Sequence, residues 1–360
     1  MMRKITLLFL ILFGTIDALN IAQKYPSYKY VLSQLDIDQN YINNPDFVRF
    51  VVHNEDKFKR FYINSTKRGR RVIPIFRDML ARGGLSHLFI YMSMTESGFK
   101  ANAKSSKQAA GMWQFMSATA QLYGLQVNRY VDQRYDPLAS TNAAIRYIRT
   151  LYRKFGKWYL VMMAYNAGEG RIARSIKRAK SDSFEVLMDP KKQYIPFETR
   201  RYLQKIILLS MMGEHIVKSD SKEDKKIKQK IIGDKVFVNI YAGTNLMEFA
   251  KKLHMKLDKF FDMNPQLHDY IIPKDMFVLQ VKIPRELFKR YKAIYKPPTT
   301  KEIFAANGYD KLIAHIVKEG DDVKSVAREY GVTPMDLIII NELSSPKLKK
   351  GTILMIPTTD

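Results

Sequence analysis

Apolar residues recur at helical spacing over most of the N-terminal three fifths of the chain. Leu85, Leu88, Phe89 and Met92 share one face at 3.6-residue periodicity, which predicts an amphipathic helix. Upstream, Leu32 and Leu35 predict a short helix. Phe47, Phe50, Val51, Asn54 and Phe58 predict another, opening near Pro45. Asp136-Pro137 reads as a helix start, with Asp as N-cap and Pro in the first turn, ahead of Ala143, Ala144, Tyr147, Ile148 and Leu151. A short apolar helix from Trp158 to Tyr165 is expected to break at Asn166-Ala167-Gly168. A basic helix with Arg171, Ile172 and Ile176 follows, and then an amphipathic one from Thr199 to Met212. No alternating strand pattern interrupts residues 84–214, so this stretch is predicted to be all-α.

The pattern changes towards the C-terminus. Residues 218–230 are Lys, Asp, Glu and Ser with few apolar positions, the composition of a linker. Beyond it the chain repeats itself. The same interval of 77 residues separates Gly243 from Gly320, Ala250 from Ala327 and Asn264 from Asn341. Between these anchors, Leu246, Phe249, Leu253 and Leu257 face Val323, Val326, Tyr330 and Pro334. A gapless shared offset marks an internal repeat. Each copy predicts strand, two short helices, strand, with closing strands at Met276–Pro284 and Ile353–Pro357. Pro297-Pro298 stiffens the connection between copies.

A chain of 360 residues has room for two or three domains. It contains no cysteine, which excludes disulfides, thiolate metal sites and cysteine nucleophiles. None of the 6 histidines forms a pair at metal-ligand spacing, and no metal or cofactor is expected. Lys and Arg number 60 against 35 acids, a net charge of +25, which suits a polyanionic partner or reflects a generally basic background. At the N-terminus, Arg3 and Lys4 precede the apolar run Ile5–Phe13, and Ala18 offers a small residue for cleavage. This reads as an export signal over residues 1–18. Export argues against nucleic acid as partner. An uncleaved signal would instead give weak association with the inner or outer membrane. No cysteine follows the run, so a soluble periplasmic protein is expected over a lipid-anchored one.

Three segments could carry chemistry. Glu96 extends the stripe of Leu85, Leu88 and Met92 by one further step. A carboxyl there lies at a cleft, where burial keeps it protonated and fit for acid catalysis, or in an ion pair; alternatively, the helix ends before it and the side chain is solvated. The segment Ala109-Ala110-Gly111-Met112-Trp113-Gln114-Phe115 combines a close turn with flat aromatic faces and an amide. That suits sugar binding, although by itself it reads better as a packed turn. Ala164-Tyr165-Asn166-Ala167-Gly168 reads alone as a helix stop.

Taken in order, Glu96-Ser97, Gly111-Met112-Trp113-Gln114 and Ala164-Tyr165-Asn166-Ala167-Gly168 resemble the lytic transglycosylase family with the soluble lytic transglycosylase, or goose-lysozyme-like, fold. Thr199-Arg200-Arg201-Tyr202 is similar to that family's late helix. The second repeat resembles a LysM module and the first a degenerate LysM-like segment. Met112 and Ser117 depart from the family's usual leucine and proline, and neither removes a reacting group.

The resemblance implies a multi-domain chain, in which an all-α lysozyme-like catalytic domain is followed by small α+β LysM-type modules. The expected division is a signal at 1–18, an N-terminal helical segment at 19–83, the catalytic domain at 84–214, a charged linker at 215–235, the LysM-like module at 236–284, a linker at 285–312 and the LysM module at 313–358. It implies cleavage of peptidoglycan glycan strands with Glu96 as single acid and base, and with Ser97, Met112, Gln114, Tyr165, Asn166 and Tyr202 around the sugar. The LysM part would bind N-acetylglucosamine-containing glycan. No second acid stands near Glu96 in sequence, the closest being Asp78, Asp132 and Asp136. That favours transglycosylation over a goose-type hydrolase, and the intact motifs argue against a non-catalytic wall-binding protein.

Overall fold

The computed structural model describes residues 21–216, 234–241, 244–272, 278–296, 299, 301, 304, 308–341, 343 and 348–359. The expected export signal, most of the charged linker, Gly243 and Pro297-Pro298 lie outside the described residues. The chain forms two compact units. The first includes residues 21–127 and 132–216, and the second residues 128–131 and those from 234 onward.

The first unit is helical. Its helices are α1 (Tyr28–Gln34), α2 (Pro45–Gly69), α3 (Ile73–Arg82), α4 (Ile90–Ser97), α5 (Ser117–Leu122), α6 (Pro137–Phe155), α7 (Trp158–Ala167), α8 (Glu169–Ala179), α9 (Phe184–Met188) and α10 (Phe197–Ile216). Asp136 acts as the N-cap that the sequence predicts, and Asn44 caps α2 in the same way. The Asp136 carboxylate accepts from the backbone N–H groups of Leu138 and Ala139 at the start of α6. Asn44 does the same for α2 through Asp46 and Phe47, with Pro45 in the first turn. Among the described residues of this unit only isolated β-bridges occur, at residues such as Lys104 and Ala110.

One apolar core runs through the whole unit. Leu32, Phe47 and Phe50 from α1 and α2 belong to the same buried cluster as Met92 from α4, Leu160 from α7 and Ile206 from α10. The N-terminal helices therefore share a core with the helices expected to do the chemistry.

In the second unit each repeat forms the predicted strand, two helices and strand, with Met276 and Phe277 of the first closing strand outside the described residues; the expected linker after the first copy begins instead with a helix packed on that copy's core. The first copy runs β1 (Lys235–Tyr241), α11 (Leu246–Lys252), α12 (Leu257–Met263), β2 (Val278–Pro284), then the helix α13 (Phe288–Ile294). The second runs β3 (Lys311–Ile316), α14 (Val323–Glu329), α15 (Pro334–Ile340), β4 (Ile353–Thr358). Each strand pair is antiparallel, with Phe237 opposite Lys282 in the first and Ile316 opposite Ile353 in the second. Each copy has its own core.

The repeated asparagine explains why the two copies fold alike. Asn264 Nδ2 donates to the Phe260 and Lys282 carbonyls at 2.9 Å each, and its Oδ1 accepts from Lys282 N at 2.7 Å. Asn341 makes the matching set: Nδ2 to the Leu337 and Met355 carbonyls at 2.9 and 2.8 Å, and Oδ1 from Met355 N at 2.6 Å. One amide thus ties the second helix of each copy to its closing strand, where a ladder hydrogen bond would otherwise be missing.

Candidate active site

Helix α4 ends just after Glu96. Its residues Ile90–Met94 are buried, and the turn stops at Gly98, whose φ of 58° gives the left-handed C-terminal stop that glycine accepts at low cost. Glu96 is thus helical, which excludes the reading in which the helix ends ahead of it. The side chain is half-buried and faces a cavity of about 490 Å3. Thr95 and Glu96 supply the α4 wall, Asn166 the α7 wall, Phe50, Asn54 and Phe58 the α2 wall, and Glu198, Arg201, Tyr202 and Lys205 the α10 wall.

Burial raises the Glu96 carboxyl to about 7. A hydrogen bond from Tyr202 and the nearby Lys205 charge oppose this shift, and the Glu198 carboxylate adds to it. Tyr202 donates its phenol proton to Glu96 Oε1 at 2.8 Å. Burial and the Glu96 charge hold the Tyr202 hydroxyl well above its ordinary range, so it remains a donor. A carboxyl that titrates near neutrality can both give and take a proton, as a combined acid and base requires.

The motifs that stand in order along the chain are wired to one another. Ser97 Oγ donates to the Met112 carbonyl at 2.9 Å, and Ser93 Oγ to the same oxygen at 3.0 Å. Tyr165 donates to the Trp113 carbonyl at 2.8 Å. Thr199 donates to Asn166 Oδ1 at 2.9 Å, which leaves the Asn166 amide N–H groups unclaimed among the described residues. The Gly111–Gln114 turn is therefore a brace between α4 and α7. Its tightness has a visible cause: a Cβ on Gly111 would lie 1.8 Å from the Arg134 carbonyl oxygen, and φ there is +78°.

This placement divides the residues expected at the site. Glu96, Asn166 and Tyr202 meet in the cavity, and Tyr165 lies nearby, its hydroxyl raised by burial and then by the Glu96 charge. Ser97, Met112 and Gln114 are not among the cavity-lining residues. The Ser97 hydroxyl serves Met112. The Gln114 amide donates to the Ala103 and Gly111 carbonyls at 3.2 and 2.9 Å. Met112 is buried. Trp113 and Phe115 are core residues rather than sugar platforms, and the Trp113 indole donates to Thr141 Oγ1 at 2.8 Å.

Sequence reasoning missed Glu198, Arg201 and Lys205, and with them the second carboxylate. Distance along the chain concealed Glu198, which the fold returns to the cavity. Its signal was present: Glu198, Arg201, Tyr202 and Lys205 fall at i, i+3, i+4 and i+7, one face of a helix. The periodicity of Phe50, Asn54 and Phe58 predicts a helix stripe on α2 but carries no signal of the cavity.

Residues 74–188 match the family model described as the Transglycosylase SLT domain, and residues 315–357 match the LysM domain. The SLT match thus falls in the helical unit, and the LysM match falls on the second repeat with its two-stranded sheet. Among characterised relatives it is similar to membrane-bound lytic murein transglycosylase D of Escherichia coli K12, at 28% identity over 275 residues, covering 74% of this chain and 59% of the relative. The chain therefore spans about three fifths of the length of that relative. Among solved structures it matches the 70 kDa soluble lytic transglycosylase of Escherichia coli at 20% identity and TM-score 0.32, covering 53% of this chain and 29% of that one. An inactive mutant of lytic transglycosylase Slt from Pseudomonas aeruginosa matches at 21% identity and the same TM-score, covering 43% and 24%.

Proposed function

We propose that this protein is a peptidoglycan lytic transglycosylase that cuts the β-1,4 bond between N-acetylmuramic acid and N-acetylglucosamine, with Glu96 as acid and then base. The observation that carries the reading is Glu96 itself: a carboxyl of the SLT-matching stretch, raised to about 7 where it lines a cavity, with Tyr202 hydrogen-bonded to it. Protonated Glu96 gives its proton to the glycosidic oxygen as the bond to C1 breaks. The resulting carboxylate takes the proton of the muramoyl C6 hydroxyl, whose oxygen bonds to C1. The product is a 1,6-anhydro end, and no water is consumed. The attack is intramolecular, so positioning supplies much of the rate. Asn166 offers its free amide N–H groups to the acetamido oxygen next to the reacting carbon.

The cavity position of Glu198 supports a second reading, in which that carboxylate activates water and the enzyme hydrolyses the bond. Product mass separates the two, because an anhydro end is one water lighter than a reducing end. The decisive experiment digests purified peptidoglycan with wild type and Glu96→Gln and weighs the products. Anhydro products that vanish with Glu96→Gln support the transglycosylase. Reducing ends favour the hydrolase, and unchanged cleavage by the variant excludes Glu96.

The LysM region would hold N-acetylglucosamine-containing glycan and raise the local concentration of substrate. A wall substrate and the signal-like residues 1–18 support export to the periplasm. Among the described residues no helix is long and apolar enough to cross a membrane.

A further inference from the structure

Lys205 is the cation nearest in character to a catalytic group that the proposed reaction does not use. It lies one turn beyond Tyr202 on α10 and lines the same cavity as Glu96. Its Nζ donates to the Thr95 carbonyl at 3.3 Å, the peptide unit just before Glu96. The ammonium also sits 4.1 Å from the Phe61 ring centroid and 5.6 Å from that of Phe58, both on α2. These aromatic faces hold the charge in place of water. Among the described residues no ion pair joins Lys205 to Glu96.

We propose that Lys205 is a positioning residue that balances the acid and base forms of Glu96, acting through the charge it places in the cavity and without contact with the reacting sugar. This rests on the reading of Glu96 as the acid and base. The physical case comes from two opposing requirements. Burial alone would make the carboxylate too costly, and Glu96 would hold its proton when it must release it. A direct ion pair would do the reverse, fixing the carboxylate and removing the acid. A cation held nearby by other partners stabilises the carboxylate that forms when the leaving oxygen is protonated, yet leaves Glu96 free to recover its proton. Both side chains are partly buried, which makes that field more effective than between exposed groups.

The other groups facing this pair are accounted for. Tyr202 donates to Glu96 from α10, and exposed Glu198 on the same helix disfavours its ionisation. Arg201 is engaged by Gln204 and by the Phe50 and Phe197 rings. From α7 come neutral Tyr165 and Asn166. From α2, Lys57 acts on Lys205 and is itself exposed. Burial and Lys57 lower the Lys205 ammonium to about 8, while Glu96 raises it, so it is still charged where Glu96 titrates.

The test is the pH dependence of peptidoglycan cleavage by the full chain. Activity falls on the alkaline side as Glu96 loses the proton it must donate. Lys205→Met removes a charge that favours the carboxylate, so this limb should move to higher pH by about one unit. Lys205→Arg should keep the limb near its wild-type position. Lys205→Gln provides a second neutral variant if the methionine protein fails to show a cooperative melt. A neutral variant whose limb coincides with wild type overturns the proposal, as does an arginine variant that shifts as far as methionine. Glu96→Gln is run alongside. If it still cleaves, the acid and base reading falls and takes this proposal with it. If it is inactive while the Lys205→Met limb stays put, only the role of Lys205 is lost.

Discussion

The Tyr202 phenol donates to Glu96 Oε1 at 2.8 Å, joining two helices whose contacting residues lie 106 positions apart in sequence. The bond stabilises the carboxylate and works against burial. Removing it with Tyr202→Phe should leave the fold intact, push the Glu96 carboxyl higher and slow cleavage roughly tenfold to a hundredfold. Clearing of a peptidoglycan suspension at pH 6, with thermal melting as the folding control, measures this. Wild-type clearing by the variant would remove Tyr202 from the mechanism.

Burial of Glu96 also has a stability consequence. Its carboxyl rises from 4.5 to about 7 in the folded protein, so the native state binds a proton that the unfolded chain releases earlier. The sign follows: this contribution is fully present below pH 4.5 and is lost as pH rises through about 7. Glu96→Gln never carries the charge. It should therefore be more stable than wild type at pH 8, by up to about 3 kcal/mol, with the gap closing towards pH 4. Urea denaturation at both pH values tests this, and a gap that is the same at both contradicts the assignment.

The turn that braces α4 against α7 should tolerate no side chain at Gly111. An added Cβ meets the Arg134 carbonyl oxygen at 1.8 Å, and the backbone is left-handed. Gly111→Ala should cost at least about 2 kcal/mol and lower the melting temperature of the helical unit. A melting temperature equal to wild type would show that the close approach relaxes freely.

In the second repeat, Asn341→Ala removes three hydrogen bonds, two of which tie the end of α15 to Met355 in β4. It strands backbone groups of Met355 and should cost about 1–3 kcal/mol. Sedimentation with insoluble peptidoglycan should weaken, while cleavage of short soluble fragments continues at the wild-type rate. Loss of both activities together would contradict separate roles for the two units.

Much of the architecture was legible in the chain because its determinants are local. Asp136 and Asn44 cap helices through neighbouring amides, and the strand–helix–helix–strand repeat declared itself through a fixed interval. Glu96 could be picked out because a carboxyl interrupts an apolar stripe. The cavity was less legible. Its α2 wall and most of its charged groups come from segments distant in sequence, and no local rule says that Phe58 and Lys205 will meet. Gln114 and Ser97 show the opposite difficulty. Both carry groups suited to sugars, yet nearby carbonyls claim their donors first.

The paired asparagines reach further than the hold they exert on each strand. Asn264 and Asn341 bind only backbone groups of their own repeats, the first from a buried position and the second from a half-buried one. The outward faces of the two sheets have consequently been free to diverge. One presents Phe237, Asn239 and Gln280, the other Ala314, Ile316, Ile353 and Met355. An interior clamp of this kind separates what a duplicated segment needs in order to fold from what it shows to its surroundings. Substitutions on either face can then be selected for recognition without first being screened for survival of the scaffold.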